Sequence, residues 1–262
     1  MKKFNPADLK RLYKPPRSSH KGQNGKLLVI GGSNLFHSAS MWSLEVASRI
    51  VDMVFYSSVP VNEAIVKKQK ERFNGGIIVP KDKLDEYIDE ADCALIGPGM
   101  DRSDLTKQKA NALLAKHQNK KWVVDGGALQ VLDKKLLNQN MIITPHHKEY
   151  EILFGNEPAE RMAKKFNCTI VLKGKEDVIC DLHQCLINKT GNEGMTKGGT
   201  GDVLAGLIAA LYCKNDAFLA ASCGTYLNGL AGDKLYERVG TNFNATDLVH
   251  ELPKVMGEVI NS

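Results

Sequence analysis

Short apolar runs that end in glycine or a polar residue recur along the first two thirds of the chain, separated by longer stretches with apolar positions at helical spacing. LLVIGG (27–32) closes on a double glycine and leads into ASMWSLEVASRIV (39–51), which reads as strand, turn and helix. MVFY (53–56), GGIIV (75–79), CALIG (93–97), KWVVD (121–125), NMIIT (140–144) and TIVLKG (169–174) have strand length, and SDLTKQKANALLAKH (103–117) has the period of an amphipathic helix. This alternation predicts crossover units and a mostly parallel sheet with helices on both faces. DVICD (177–181) and CLIN (185–188), separated by a polar LHQ, predict an antiparallel hairpin at the edge of that sheet. After Asp202 only helical periodicity remains, in DVLAGLIAALYC, DAFLAASCGTYLNGLAGDKLYERV and NATDLVHELPKVMGEVI, so the last quarter is expected to be helical.

No linker, repeat or composition break interrupts the 262 residues, which predicts one domain over 1–262, and 43% hydrophobic residues suffice for a large core. The net charge of +5 comes from scattered lysines, as in KKQKER (67–72), rather than from a basic tract. With 6% aromatics, that charge suits phosphate-bearing small molecules and argues against nucleic acid. Cys93, Cys168, Cys180, Cys185, Cys213 and Cys223 show no C-x-x-C and no metal-type spacing, and are expected as buried reduced thiols. The basic N-terminal segment lacks the apolar core of a secretory signal, and no apolar run reaches the ~18–20 residues of a membrane span. A cytoplasmic protein without membrane partners is the expectation.

In open parallel sheets ligands gather at the carboxyl ends of the strands. There the chain places GGS (31–33), GPGM (97–100), DGGAL (125–129), TPHHKE (144–149), LKGKED (172–177) and TGNEGMTKGGTGD (190–202). Gly198, Gly199, Thr200 and Gly201 precede a helix with Val203, Leu204, Leu207, Ile208 and Leu211 along one face. Glycines let the backbone N–H groups of such a turn converge, and the helix start adds about half a positive charge, so the turn suits phosphate. Asp202 there could be a simple N-cap. It could equally take a proton from a hydroxyl that attacks a phosphoryl group held on those amides. Neither G-x-x-x-x-G-K-[ST] nor G-x-G-x-x-G occurs.

HKGQNGKLLVIGGS (20–33), IGPGM (96–100), VVDGGAL (123–129), ITPHHKEYEIL (143–153), IVLKGKEDVI (170–179) and NKTGNEGMTKGGTGDVLAGLIAAL (188–211), in this order, resemble the ribokinase-like ADP- or ATP-dependent NAD(P)H-hydrate dehydratases from about Lys21 to the C-terminal helix. The resemblance implies a three-layer α/β sandwich. It also implies repair of hydrated nicotinamide cofactors: the ring hydroxyl of the S hydrate (NADHX or NADPHX) accepts a phosphoryl group from ADP or ATP, and phosphate then leaves. It makes Asp202 the catalytic acid and places Ala39, Gly99, His146 and Asp202 at the hydrated dinucleotide. Lys173, Gly174, Lys175, Glu176, Asp177, Asn192, Gly199, Thr200 and Gly201 fall at the nucleotide, and Glu149 at Mg²⁺. A homotetramer and cooperation with a separate NAD(P)HX epimerase belong to the same expectation, no epimerase domain being present in the chain.

The sequence departs from the family pattern at Ser38-Ala39, His146-His147-Lys148-Glu149 and Asp125-Gly126-Gly127, where Gly-Ala, His-Pro-Gly-Glu and Asp-Ala-Asp or Asp-Ala-Gly are usual. Two other readings compete. One is a ribokinase-like kinase of a small alcohol or vitamin precursor, to which the Lys21–Ser33, Pro98-Gly99 and Thr-Pro-His segments are less suited; the other is a nucleotide-binding module without catalysis.

Overall fold

A computed structural model describes residues 1–69 and 76–261, so Gly75 of the GGIIV run and the end of KKQKER lie outside the described residues. The strands are β1 (Lys2–Lys3), β2 (Lys26–Ile30), β3 (Met53–Ser57), β4 (Gly76–Ile78), β5 (Cys93–Ile96), β6 (Lys121–Val124), β7 (Met141–Ile143), β8 (Thr169–Leu172), β9 (Asp177–Cys180) and β10 (Cys185–Asn188). Among the described residues they form one sheet in the order β1-β10-β9-β8-β7-β6-β5-β2-β3-β4. From β8 to β4 every pairing is parallel, and β9 runs antiparallel to both neighbours.

The helices are α1 (Ser38–Ala47), α2 (Pro60–Gln69), α3 (Leu84–Glu90), α4 (Asp104–Lys116), α5 (Gly126–Gln130), α6 (His147–Phe154), α7 (Ala159–Phe166), α8 (Thr200–Tyr212), α9 (Ala217–Val239) and α10 (Ala245–Asn261). Alternate residues of each strand enter opposite cores. Leu27, Val29, Leu95 and Val123 pack with α1, α8, α9 and α10, whereas Leu28, Ile96, Trp122 and Val124 pack on the other face with residues of α3 to α7. Both faces being covered explains why these strands read as unbroken apolar runs rather than alternating ones.

Two expectations need correction and a third is extended. The β9–β10 hairpin is not the sheet edge, because Lys2 and Lys3 pair in parallel with Leu186 and Ile187 outside it. A two-residue strand of exposed lysines has no apolar pattern to announce it, and lysine is well suited to an edge. Cys180 and Cys185 are not free thiols: they face each other in the hairpin register with Cα atoms 4.2 Å apart and form a disulfide, while Cys93, Cys168, Cys213 and Cys223 are free and buried. Finally, α8 is buried beyond the one apolar face named from sequence. Thr200 and every residue from Val203 to Tyr212 is buried, because α1 and α9 flank it and β5 and β6 lie beneath. A helix buried all round needs no polar face.

Candidate active site

After β2 the chain turns outward to β3 and β4 and then returns to β5, so the direction of strand order reverses between β2 and β5. Such a switch point opens a crevice at the strand ends. The turns after these strands meet there: the Gly32 amide donates to the Pro98 carbonyl at 2.7 Å, and a Cβ on Gly99 would come within 3.0 Å of both the Ala39 Cβ and the Phe36 carbonyl oxygen. Gly99 has φ +70°, so a side chain there would be strained as well as crowded. Ala39 and Gly99 are thereby brought into contact. Ser38, where the family has glycine, points to solvent and does not crowd that contact.

Helix α1 then runs to α8 and fixes the opening of that helix. Ser43 Oγ lies 2.7 Å from the Asp202 carbonyl oxygen and 3.4 Å from that of Ala39. Gly206 is required at the crossing, since its Cβ would come within 2.6 Å of the Ser43 Cα. Gly199, the residue before α8, has φ +98° and packs under the Trp42 ring. It shapes the turn and is not in the cleft wall described below. Among the described residues no protein acceptor takes the N–H of Gly198, Gly199 or Gly201, leaving amides at the helix start for an anion.

Lys173 follows β8 and joins the two halves of the site. Its backbone N–H donates to the Pro145 carbonyl at 2.8 Å, and it bridges in parallel to His146. Its ammonium donates to Asp125 Oδ1 at 2.9 Å, and a Cβ on Gly201 would lie 3.4 Å from Nζ. The cation therefore sits between the β6 carboxylate and the open first turn of α8. Burial works against the charged ammonium, but attraction to Asp125, Glu149 and Asp202, with the hydrogen bond to Asp125, outweighs it and raises the pKa. Asp125 is held in turn by Thr144 Oγ1 at 2.7 Å.

Asp202 is the most perturbed carboxylate of this group. Burial first, then repulsion from Asp125 and Glu149, push its pKa from 3.8 up to about 7 against the pull of Lys173 and its own amide. A base poised near neutrality, next to a cation and unpaired helix-start amides, is what transfer of a phosphoryl group to a hydroxyl requires.

His146 and Glu149 form a reciprocal cap on α6. The Glu149 amide donates to His146 Nδ1 at 3.2 Å, and the His146 amide donates to Glu149 Oε2 at 2.9 Å. Glu149 is buried, and its Oε1 accepts from Gln130 Nε2 at 2.9 Å. Histidine here supplies the cap that serine or threonine usually gives.

A cleft of about 790 Å³ lies on the other side of Lys173. Lys173, Gly174, Lys175, Glu176, Asp177, Asn192, Thr200 and Gly201 all line it, so the two distant segments named from sequence converge. Asp177 accepts from the Gly174 amide at 3.0 Å and from Asn188 Nδ2 at 3.1 Å, which shapes the turn after β8, while burial raises its pKa. Asn192 is anchored to α9, its Nδ2 donating to Asp233 Oδ1 at 2.9 Å. Thr190, the first residue of the TGNEGMTKGGTGD motif, also lines the cleft, and so does Asn228, which had no sequence signal. Asn228 lies inside a continuous helical pattern, and its Oδ1 is buried without a partner. Asp125 could have been found from VVDGG, where a carboxylate ends a buried strand.

A helix start with open amides, an aspartate raised to about 7 and a cleft of about 790 Å³ on a parallel sheet are the parts that a phosphoryl-transfer class of protein uses. The chain belongs to the NAD(P)H-hydrate dehydratase family, whose model matches residues 27–254. It is 41% identical over 258 residues to the bifunctional NAD(P)H-hydrate repair enzyme Nnr of Methanocaldococcus jannaschii, a match covering 95% of this chain and 51% of that protein. It is 34% identical over 265 residues to the ADP-dependent (S)-NAD(P)H-hydrate dehydratase of Cenarchaeum symbiosum, covering 92% of this chain and 91% of the relative. The chain thus spans about half the length of the bifunctional relatives it matches. The crystal structure of the ADP/ATP-dependent NAD(P)H-hydrate dehydratase of Bacillus subtilis, co-crystallised with ATP/Mg²⁺, superposes with a TM-score of 0.82 at 21% identity, covering 98% of each chain. The architecture is ribokinase-like.

Proposed function

We propose that this chain dehydrates the S epimer of hydrated NADH or NADPH at the expense of ADP or ATP, giving NADH or NADPH, phosphate, and AMP or ADP. The observation that carries the reading is Asp202, raised to about 7 beside Lys173 at a helix start with unpaired amides. Family membership supplies the substrate class. Hydroxide is a poor leaving group and phosphate a good one, which is the chemical reason for phosphorylating the ring hydroxyl first.

In this reading the adenosine part of the nucleotide lies in the cleft along Lys173 to Asp177, Asn192 and Thr200. The unpaired amides of Gly199 and Gly201 and the Lys173 ammonium receive the migrating phosphoryl group. Asp202 removes the hydroxyl proton as oxygen attacks phosphorus. The hydrated ring rests against Ala39 and Gly99, with His146 beside Lys173.

Mg²⁺ fits as a phosphate-held ion. Among the described residues no group of three His, Cys, Asp or Glu side chains is arranged to cage a metal, but Mg²⁺ bound with nucleotide needs only one or two carboxylates. Glu149 has one hydrogen bond on each oxygen and retains a lone pair on each for the ion or its waters. When bound, the ion neutralises charge on the donor phosphates. The reading also includes a cytoplasmic homotetramer that works with an NAD(P)HX epimerase.

The test is Asp202→Asn in an assay that follows recovery of the reduced nicotinamide absorbance from the hydrate. Turnover is expected to fall at least ~100-fold, with nucleotide affinity held within about tenfold, or ~1.4 kcal/mol. Retained turnover would remove the base assignment.

A further inference from the structure

We infer that His37 is a second base of the reaction, taking the ring carbon proton that dehydration must remove, and that Asn62 positions it. This rests on the dehydration reading above. Loss of water from the hydrate breaks two bonds, the C–O bond at the hydroxyl-bearing carbon and a C–H bond at its ring neighbour. Asp202 already holds the hydroxyl proton once the phosphoryl group has moved, so the elimination calls for another acceptor.

Two imidazoles stand near the strand ends on the Ala39 side of Lys173, and their hydrogen bonds separate them. At His146 the Nδ1 lone pair accepts the Glu149 amide, so the ring hydrogen is on Nε2, which lies 3.6 Å from Glu149 Oε1. That ring has no free lone pair. At His37 the relation is reversed. Nδ1 lies 2.6 Å from Asn62 Oδ1, a carbonyl oxygen that only accepts, so Nδ1 carries the hydrogen and the Nε2 lone pair remains unshared among the described residues. Orientation of an imidazole by an amide or carboxylate on one nitrogen, with chemistry at the other, is how histidine bases are held in acyl transfer.

The location matches the need. His37 immediately precedes α1, two residues before Ala39, and the neighbouring Phe36 carbonyl packs on Gly99. Through Ser43, the carbonyl oxygens of Ala39 and Asp202 are at most about 6 Å apart, so the start of α1, which His37 precedes, and the first turn of α8, which carries Asp202, are held together. Asn62 is fully buried on α2, where it packs against Gly32 and interacts with the Tyr56 hydroxyl, so the residue that holds the His37 ring is itself fixed. In the proposed step His37 Nε2 takes the proton from the ring carbon. The C–H electron pair becomes the ring double bond, and phosphate leaves with the pair of the C–O bond.

The experiment follows AMP and NADH together, from ADP and hydrated NADH, in wild type, His37→Gln and His37→Ala, the last with and without added imidazole. With enzyme in excess over the hydrate, so that each substrate molecule reacts in a single turnover, AMP is expected to form in the variants at close to the wild-type rate while NADH formation lags by about 100-fold, and imidazole is expected to restore NADH formation in His37→Ala. AMP and NADH slowing together without imidazole rescue, or both unchanged, would overturn the assignment and leave Asp202 as the only base. Wild-type protein that forms no NADH would instead overturn the dehydration reading itself, and the His37 assignment with it.

Discussion

In the proposed reaction, an aspartate crowded by two other carboxylates serves as a base and is at the same time a burden on the fold. Asp202 must be ionised to accept a proton, so kcat/KM is expected to rise with unit slope up to about pH 7 and then level, and to lose that dependence in Asp202→Asn. Lys173 pulls the Asp202 pKa down, so Lys173→Met should move the acid limb to higher pH as well as weaken nucleotide binding by at least about tenfold, read from a pH–rate series and a titration. The stability consequence has the opposite sign. Because the folded pKa lies above the unfolded value of 3.8, the protonated carboxyl's contribution is whole below about pH 4 and is lost as pH rises through about 7. Asp202→Asn removes that loss, so the variant should be more stable than wild type at pH 8 by ~2–4 kcal/mol and equal to it near pH 4, measured by denaturant melts. Asp202, Lys173 and the glycine turn were open to sequence reasoning because their chemistry shows in residue type and spacing. Asn62 and Asn228 were not, since a buried amide inside a helix disturbs no hydrophobic period.

At the level of helices and strands, the turn before α8 depends on one residue without a side chain. Gly199 combines a left-handed backbone with contact under the Trp42 ring, so Gly199→Ala should cost about 2–4 kcal/mol in chemical denaturation and lower nucleotide affinity by displacing the α8 amides. The β9–β10 hairpin carries a second, covalent constraint. Unfolded without reductant, the protein should expose four titratable thiols, and six after reduction; six in both conditions would contradict the Cys180–Cys185 link. Long elements were easily read from sequence: α4 begins one residue after Ser103, whose hydroxyl caps it as expected for the start of SDLTKQKANALLAKH, and α9 covers almost all of its apolar repeat. Short ones were not. Helices α5 and α7 have five and eight residues and fall between strand signals, where too few turns exist for a period to emerge. The disulfide was hidden because C-x-x-x-x-C becomes a facing pair only once the hairpin register is known.

Across the molecule, function follows from where the sheet changes direction. The switch between β2 and β5 opens the crevice that Ala39 and Gly99 line, and Lys173, two strands beyond β6, connects it to the cleft proposed for the nucleotide. A kinase of a small alcohol would use the same sheet, but it would leave the phosphoryl group on its product. The decisive quantity is therefore the balance of products when the protein meets hydrated NADH with ADP or with ATP, counted as reduced nicotinamide and free orthophosphate. One orthophosphate released for each NADH regenerated is the expected result; phosphate retained on an organic product, or nucleotide consumed without return of the reduced ring, would contradict it.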